Sequence, residues 1–242
     1  MRYCIVLPVH NEETTIEHTI GECLDAINKS APNHSGRILV SEDGSRDRTR
    51  ELIEALATAS NGLVSNLPPA AERLGYSLGV VRGMQGVGEG ELICTMDSDG
   101  QCNPADLVRL VDFHKPGRVV VGVRTPRADS AKRKIYSFLF GIVFRAMFRV
   151  RLKDPSSPMI VVSREDAELL ALVRPRLKYG FWWEFQAHVK SLGLEVWEEP
   201  VEHRVRDGGE SIYEARRLPG IVASHLVGLF RVRRDLSSAS TK

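Results

Sequence analysis

The segment Leu92-Ile93-Cys94-Thr95-Met96-Asp97-Ser98-Asp99-Gly100-Gln101 decides how the rest of the chain is interpreted. Its apolar half is short and lies between a glycine-rich turn and the pair Gly100 and Pro104, which predicts a buried strand. Asp97 and Asp99 come where that strand leaves the sheet. Side chains two positions apart in an extended segment point the same way, so two ionised carboxylates there repel each other and need a cation. The segment alone fits two interpretations: a Mg²⁺ or Mn²⁺ site that carries phosphate, or a turn in which Asp caps the next helix.

The composition is that of an ordinary soluble protein. The chain has 242 residues, 43% hydrophobic and 26% charged, enough for one large α/β domain with a substantial core. The net charge of +2 argues against a general nucleic-acid binder. Four cysteines without CxxC spacing indicate buried reduced thiols and a reducing compartment. We find no signal peptide and no apolar run of about 20 residues, and therefore expect a cytoplasmic protein.

Strands and helices alternate along the first half of the chain. Strands are predicted at 2–9, 37–41, 62–67, 92–96 and 119–123, with a helical pattern between each pair. This alternation predicts a mostly parallel sheet with helices on both faces. Polar clusters follow the first, second and fourth strands. Because the carboxyl ends of parallel strands share one edge, where open α/β folds bind ligands, we expect the three clusters to converge.

Each cluster also has a local explanation. Asn11 could cap the first helix, and Asp43 lies in a common Asp-Gly-Ser turn, although its carboxylate could also accept a nucleobase N–H. The segment from Arg73 to Gly79 could contact phosphate at a helix N-terminus, or could let a glycine-bearing helix pack closely on the sheet.

The polar clusters belong to a set of seven segments that occur in a fixed order over roughly residues 3 to 213. The segments are Pro8-Val9-His10-Asn11-Glu12, Glu42-Asp43-Gly44-Ser45-Arg46-Asp47-Arg48-Thr49, Arg73-Leu74-Gly75-Tyr76-Ser77, Asp97-Ser98-Asp99-Gly100-Gln101, Asp154-Pro155-Ser156-Ser157-Pro158-Met159, Gly180-Phe181 through Phe185, and Pro200 through Ser211. This set resembles the inverting glycosyltransferase family 2, of the GT-A fold, and within it the dolichyl- and polyprenyl-phosphate sugar synthases. Three features depart from that branch: Glu42 replaces Asp, Tyr76 replaces a frequent Lys, and Pro158-Met159 replaces Gly-Phe. The absence of Gln-x-x-Arg-Trp argues against a processive polysaccharide synthase.

The resemblance implies a role for most of these positions. The donor nucleotide would be bound by Pro8, Val9, Asn11, Glu12, Asp43, Ser45, Gly75, Asp97 and Ser98. A divalent ion, Mg²⁺ or Mn²⁺, would be held by Asp97, Asp99 and Gln101 beside the pyrophosphate of the sugar nucleotide. Donor or acceptor phosphates would be bound by Arg124, Arg133, Arg204, Arg206 and Ser211. The residues predicted to take part in the chemistry are Asp99, Glu184 and Arg204.

The identity of the acceptor decides whether a base is required. A prenyl-phosphate oxygen is already ionised at neutral pH, whereas a hydroxyl must lose a proton. Glu184 is the candidate base, because the large apolar side chains beside it can raise the pKa of its carboxyl group. Alternatively, the neighbouring aromatic side chains pack a helix and Glu184 is merely solvated.

A basic amphipathic helix is predicted over residues 132–150. The stretch from Arg124 to Lys153 contains nine Lys or Arg residues and one acid. Two stripes follow helical spacing, an aliphatic one at Ile135, Phe138, Leu139, Ile142, Val143 and Ala146, and an aromatic one at Tyr136, Phe140, Phe144 and Phe148. Such a helix is typical of an interfacial anchor or a lipid-acceptor groove, and a buried helix or a dimer interface are the alternatives. A second basic helical segment, residues 214–242 with a disordered end, is predicted to follow a domain of residues 1–213.

The sequence therefore predicts a metal-dependent inverting transfer from a nucleotide sugar to a polyprenyl phosphate, by a protein peripheral to the cytoplasmic face of a membrane. The alternatives are a soluble family 2 transferase acting on a hydroxyl, a sugar nucleotidyltransferase, and a non-catalytic nucleotide-sugar binding protein. A nucleotidyltransferase would carry a glycine-rich loop with Arg and Lys after its first strand, and Pro8 through Glu13 has different chemistry. A homodimer remains an option.

Overall fold

The computed structural model describes residues 1–30, 33–70, 72–128, 131–171, 175–177, 180–205 and 218–239. Within these ranges seven strands form one sheet: β1 Arg2–Val9, β2 Ser35–Glu42, β3 Val64–Asn66, β4 Leu92–Thr95, β5 Arg118–Arg124, β6 Ile160–Ser163 and β7 Glu195–Val201. The same ranges contain the helices α1 Ile16–Ser30, α2 Thr49–Ala59, α3 Tyr76–Gln85, α4 Pro104–Leu110, α5 Ala131–Phe148, α6 Arg164–Ala171, α7 Phe181–Ser191 and α8 Leu218–Ala239.

Helices cover both faces of the sheet, as predicted, and β1 shows why. Its alternate residues Tyr3, Ile5 and Leu7 pack with α1, α2 and α4, whereas Cys4 and Val6 pack with α3, α6 and α7. A strand buried on both faces is apolar throughout instead of alternating with polar residues. The continuous apolar runs in the sequence therefore belong to the central strands.

The strand order is β3-β2-β1-β4-β6-β5-β7. The chain moves outward from β1 through β2 to β3 and then returns to β4 on the other side of β1. The crevice beyond the carboxyl ends of β1 and β4 is thus a topological switch point, the place where open α/β sheets bind ligands. Asp97 and Asp99 follow β4 directly into this crevice.

Strand β6 runs opposite to the others. It is antiparallel to both β4 and β5, whereas β5 and β7 are parallel to each other. The sequence pattern does not predict this strand, because its apolar run is too short to stand out. Since β6 is reversed, its first residue lies at the edge where the parallel strands end. The segment from Asp154 to Pro158, which precedes β6, is therefore brought to the same edge as Asp97.

The two stripes of α5 have different environments. Phe140 and Phe144 of the aromatic stripe are buried against Trp183 of α7 and against Leu229 and Val232 of α8. All six residues of the aliphatic stripe are exposed. Helix α8 is accordingly packed on the rest of the protein along one side. None of the described helices combines the length and the apolar character that a membrane-spanning helix needs.

Candidate active site

A cavity of about 640 Å³ opens at the carboxyl edge of the sheet. Its lining includes most of the predicted site residues: Pro8, Val9, Asn11, Glu12, Asp43, Gly75, Asp97, Ser98, Asp99, Gln101 and Arg124. These residues follow or end β1, β2, β4 and β5, or precede α3. The predicted convergence of the polar clusters on one edge is therefore confirmed, while the roles of the individual residues stay predictions.

The loop after β1 is fastened to the loop after β2. Asn11 has a φ of 55°, in the left-handed region that Asn tolerates better than most residues. Its backbone N–H donates to Ser45 Oγ at 3.0 Å, and its Oδ1 accepts the backbone N–H of Arg46 at 2.9 Å. Asn11 therefore does not cap α1, which begins at Ile16. Ser45 lies outside the cavity lining and acts on the site by holding Asn11.

Asp43 is buried at the cavity wall and is already hydrogen-bonded within the protein. Its two carboxylate oxygens accept the backbone N–H groups of Leu74 and Gly75 at 2.6 and 2.7 Å. Gly75 has a φ of 82°, which favours glycine, and it begins the approach to α3. Asp43 thus fixes the loop before α3, and any ligand it binds shares its oxygens with this loop.

The acidic turn after β4 is organised by Ser98, which points into the protein. Ser98 Oγ donates to the carbonyl of Pro8 at 2.9 Å, and its own carbonyl accepts the hydroxyls of Thr15 and Thr19. Asp97 and Asp99 on either side of it line the cavity. Neither caps the next helix, because the side chain of Asn103 accepts the N–H of Ala105 there at 3.0 Å. The capping interpretation of the acidic pair is thereby excluded.

Tyr76 connects Asp97 to the hydrophobic core. The phenol donates to Asp97 Oδ1 at 2.6 Å and accepts the indole N–H of Trp182 at 2.8 Å. Burial and the negative charge of Asp97 raise the pKa of Tyr76 well above its ordinary value, so the hydroxyl stays protonated as a donor. Both residues lie in segments that match the family, but neither Tyr76 nor Trp182 was predicted as a site residue: Tyr76 was noted as a departure from Lys, and Trp182 as one of the aromatic side chains that could pack a helix.

The donor set at the acidic turn suits a hard cation. Asp97, Asp99 and the amide of Gln101 offer oxygens, and the Gln101 Nε2 donates to the carbonyl of Arg204 at 3.2 Å, so that end of the amide is engaged by the protein. In the described part of the chain, no group of three or more His, Cys, Asp or Glu side chains is arranged to hold a metal. Mg²⁺ commonly binds one or two carboxylates together with substrate phosphates and water. The residues present therefore fit an ion that arrives with a phosphorylated ligand.

The lining of the cavity also includes two arginines that are held by one acid. Arg124 makes a bidentate pair with Asp154 at 2.7 and 2.8 Å, and Arg127 lies 3.8 Å from the same carboxylate. Burial alone would raise the pKa of Asp154, but the charges of the two arginines outweigh it and lower the pKa to about 2. Arg127 was not predicted. His203, which lies in a matched segment but was given no role, also lines the cavity, and its Nδ1 accepts the N–H of Ala128.

Two predicted catalytic residues are engaged elsewhere. Arg204 Nη1 binds Glu22 of α1 at 2.7 Å, and its side chain is not among the described groups that line the cavity. Glu184 is buried, and its oxygens accept the N–H groups of Arg176 and Leu177. Burial raises the pKa of Glu184, as predicted, but the group is neither solvated nor in the cavity lining, so the structure does not support a base there.

Three residues that were predicted to bind phosphate have side chains outside the described part of the structure. Arg206 and Ser211 lie outside the described residues, and Arg133 belongs to α5 at a point where the side chains lie outside the described part.

Comparison with known proteins agrees with this architecture. The model of the family described as "Glycosyl transferase family 2" matches residues 4–166. Undecaprenyl-phosphate 4-deoxy-4-formamido-L-arabinose transferases of Pseudomonas aeruginosa and Pseudomonas fluorescens are each 28% identical to the chain over 219 residues. These alignments cover 88% of the chain but only 61% of each relative, so the chain spans about three fifths of their length.

The solved structures include a similar fold. Glucosyl-3-phosphoglycerate synthase from Mycobacterium tuberculosis, in complex with Mn²⁺, uridine diphosphate and glucosyl-3-phosphoglycerate, superposes with a TM-score of 0.66 at 22% sequence identity. The match covers 94% of this chain and 80% of that chain, which confirms the predicted GT-A architecture. Because the family model extends over most of the chain and includes the acidic turn with Asp97 and Asp99, the protein belongs to glycosyl transferase family 2.

Proposed function

We propose that the protein is an inverting, metal-dependent glycosyltransferase that moves a sugar from a nucleoside-diphosphate sugar to a polyprenyl phosphate. The observation that carries the proposal is the composition of the cavity. The acidic pair Asp97 and Asp99 lines the same space as Arg124 and Arg127, and Tyr136 and Ser137 of α5 extend its wall. One part thus suits a metal-bound pyrophosphate, another suits a phosphate acceptor, and a third leads to an apolar surface.

On the donor side, negative charge develops on the pyrophosphate as the bond to the anomeric carbon breaks. A Mg²⁺ or Mn²⁺ ion held by Asp97, Asp99 and Gln101 would offset that charge. The loop of Asn11 and Glu12, braced against the loop after β2, borders the space for the nucleoside. In this proposal the acidic turn and this loop orient the sugar nucleotide, and neither has to transfer a proton.

On the acceptor side, a phosphate oxygen is a nucleophile that is already ionised at neutral pH. It needs orientation more than a base, which agrees with a Glu184 carboxylate committed to the N–H groups of Arg176 and Leu177. The guanidinium of Arg124 is held in place by two hydrogen bonds to Asp154, and a guanidinium in a fixed orientation is well suited to bind phosphate. The phosphate acceptor is further supported by the names of the curated relatives, undecaprenyl-phosphate transferases.

The hydrocarbon part of such an acceptor requires an apolar surface, and α5 supplies one at the rim. Tyr136 and Ser137 line the cavity, and the next residues, Phe138 and Leu139, are 64% and 56% exposed. Lys134 and Arg149 at the two ends of the stripe are exposed and would face anionic lipid headgroups. We include peripheral contact with the cytoplasmic face of a membrane in the proposal.

The proposal is tested by incubating the protein with Mn²⁺, a panel of nucleotide sugars, and either a short-chain polyprenyl phosphate or the corresponding polyprenol. We expect a glycosylated polyprenyl phosphate, and we expect Asp99→Asn to lower the rate about 10²- to 10³-fold. Asp25→Asn, which removes an exposed carboxylate on α1, is the matched control and should retain the rate.

Transfer to the hydroxyl of the polyprenol, or to a soluble sugar or alcohol added in a third arm, with none to the prenyl phosphate, would instead favour a family 2 transferase that acts on a hydroxyl. Binding of a nucleotide sugar without any turnover would favour a binding protein.

A further inference from the structure

Three side chains from three elements form a chain of hydrogen bonds that ends at the acidic turn. Trp182 of α7 donates to Tyr76, the first residue of α3, and Tyr76 donates to Asp97 after β4. The direction of the chain is fixed by chemistry. An indole N–H can only donate and an ionised carboxylate can only accept, so the phenol proton must lie toward Asp97.

The far end of this chain is anchored in the core. Trp182 is 6% exposed and packs edge-on against Phe181 and Phe185, with ring centroids 4.8 and 5.6 Å apart. The indole therefore has little freedom to rotate, and it fixes the position of the phenol oxygen. At 2.6 Å the contact from phenol to carboxylate has the short distance of a charge-assisted hydrogen bond.

We propose that Tyr76 and Trp182 are positioning residues that hold the carboxylate of Asp97 in the orientation required by a divalent cation and the donor pyrophosphate. This inference rests on the proposed function for its ligand. Asp97 and Asp99 line one cavity and repel each other, so carboxylates free to rotate would separate. The Tyr76 hydroxyl, which the core holds in place, fixes the Asp97 carboxylate before the cation arrives. Binding then loses less conformational entropy, because this ligand is already ordered.

The chemical identity of residue 76 adds a second element to the inference. A phenol donates a proton to Asp97 without carrying a positive charge. A lysine at this position would neutralise Asp97 and repel a cation beside it. Tyrosine therefore orients the acid while leaving its charge available to the metal.

The test measures binding of Mn²⁺, alone and with inorganic pyrophosphate, by electron paramagnetic resonance, together with kcat and KM for transfer. We expect Tyr76→Phe to weaken Mn²⁺ binding about tenfold, as for loss of a hydrogen bond to a charged group, and to lower kcat more than it raises the acceptor KM. Tyr76→Lys should weaken binding further than Tyr76→Phe, although it keeps a donor.

Two comparisons separate positioning from general damage to the fold. Tyr3→Phe removes another buried phenol hydroxyl, which contacts Ser30 Oγ at 3.2 Å, and should leave Mn²⁺ binding unchanged. Trp182→Phe should weaken binding in the wild-type background and add little in the Tyr76→Phe background, because its effect passes through Tyr76.

The inference is overturned if wild-type protein does not bind Mn²⁺, if folded Tyr76→Phe binds it as tightly as wild type, or if the two substitutions act additively. These results are independent of the proposed transfer. A protein that transfers sugar with no effect of Tyr76→Phe would refute the inference alone. A protein that shows the Mn²⁺ effect but transfers no sugar would refute the proposed function alone.

Discussion

Asp154 determines where the arginines of the cavity lie, although it does not line the cavity among the described residues. Its carboxylate holds Arg124 in a buried bidentate pair. We expect Asp154→Asn to lower the free energy of unfolding by about 3–5 kcal/mol, because it leaves a buried guanidinium without its counter-charge. Urea unfolding measures the loss. Glu51→Gln, which breaks an exposed pair with Arg48, is the control and should cost about 1 kcal/mol or less.

The same pair sets a pH dependence. The pKa of Asp154 is lowered from 3.8 to about 2, so its charged form is favoured in the folded state. The stabilisation is complete above about pH 4 and is lost as the pH falls toward 2. Asp154→Asn should flatten the dependence of the unfolding free energy on pH in that window. An unchanged profile would show that other carboxylates control acid unfolding.

The sequence correctly predicted the location of residues that directly follow a strand. It did not predict the location of side chains that bind a partner elsewhere in the chain. Asp97, Asp99 and Asp43 lie in the cavity because each follows a parallel strand. The side chain of Arg204 instead binds Glu22, a residue 182 positions away, and Glu184 binds a neighbouring loop. A single sequence does not show which of several acidic residues pairs with a given arginine, because the pairing depends on how the elements pack together.

At the scale of elements, the spacing in α5 predicted two apolar stripes but not which one faces the core. Phe140 and Phe144 of the aromatic stripe are buried because Trp183 and α8 pack around their rings, and large rings bury more area per residue. The short strand β6 was missed for a related reason. Three apolar residues and a serine become a strand only because β4 and β5 lie on both sides of them.

The two faces of α5 should respond differently to substitution. We expect Phe138→Glu to reduce co-flotation with anionic liposomes at least about tenfold, with a change in stability within about 0.5 kcal/mol, since surface substitutions are usually mild. Phe144→Ala on the buried face should cost about 3–5 kcal/mol. Leu63→Glu, at an exposed apolar residue beside β3, is the control for flotation.

Two results would contradict the membrane interpretation of α5. One is a wild-type protein that does not float with liposomes. The other is a dimer in sedimentation experiments that Phe138→Glu dissociates, which would make the exposed stripe an interface between two copies.

For the whole molecule, the alternation of strands and helices was sufficient to predict the parallel sheet, its helical layers and the shared edge. The cavity at that edge joins elements that are far apart in sequence, from β1 to His203. A ligand that contacts several of them stabilises the folded state as a unit. We expect one nucleoside diphosphate, with Mn²⁺ and at about 100 times its Kd, to add about 2.7 kcal/mol and to raise Tm by about 5–10 °C.

Chelation should reverse this shift, and the measurement is a thermal unfolding scan across the common bases. An equal shift without Mn²⁺ would contradict the metal-dependent donor site, and the base that gives the largest shift would identify the donor.

The reversed direction of β6 has a consequence for how this architecture can change. Strand β5 ends at the cavity edge and β6 begins there, so the intervening segment, which contains α5, leaves the edge and returns to it. The β4–β6 and β5–β6 pairs are made entirely by residues outside that segment. The segment can therefore change in length without breaking a strand pair, provided that Asp154 still pairs with Arg124 and that Phe144 still packs against Trp183. Changes within this segment would alter the surface that we propose for the acceptor, while the acidic turn after β4 keeps its place in the sheet.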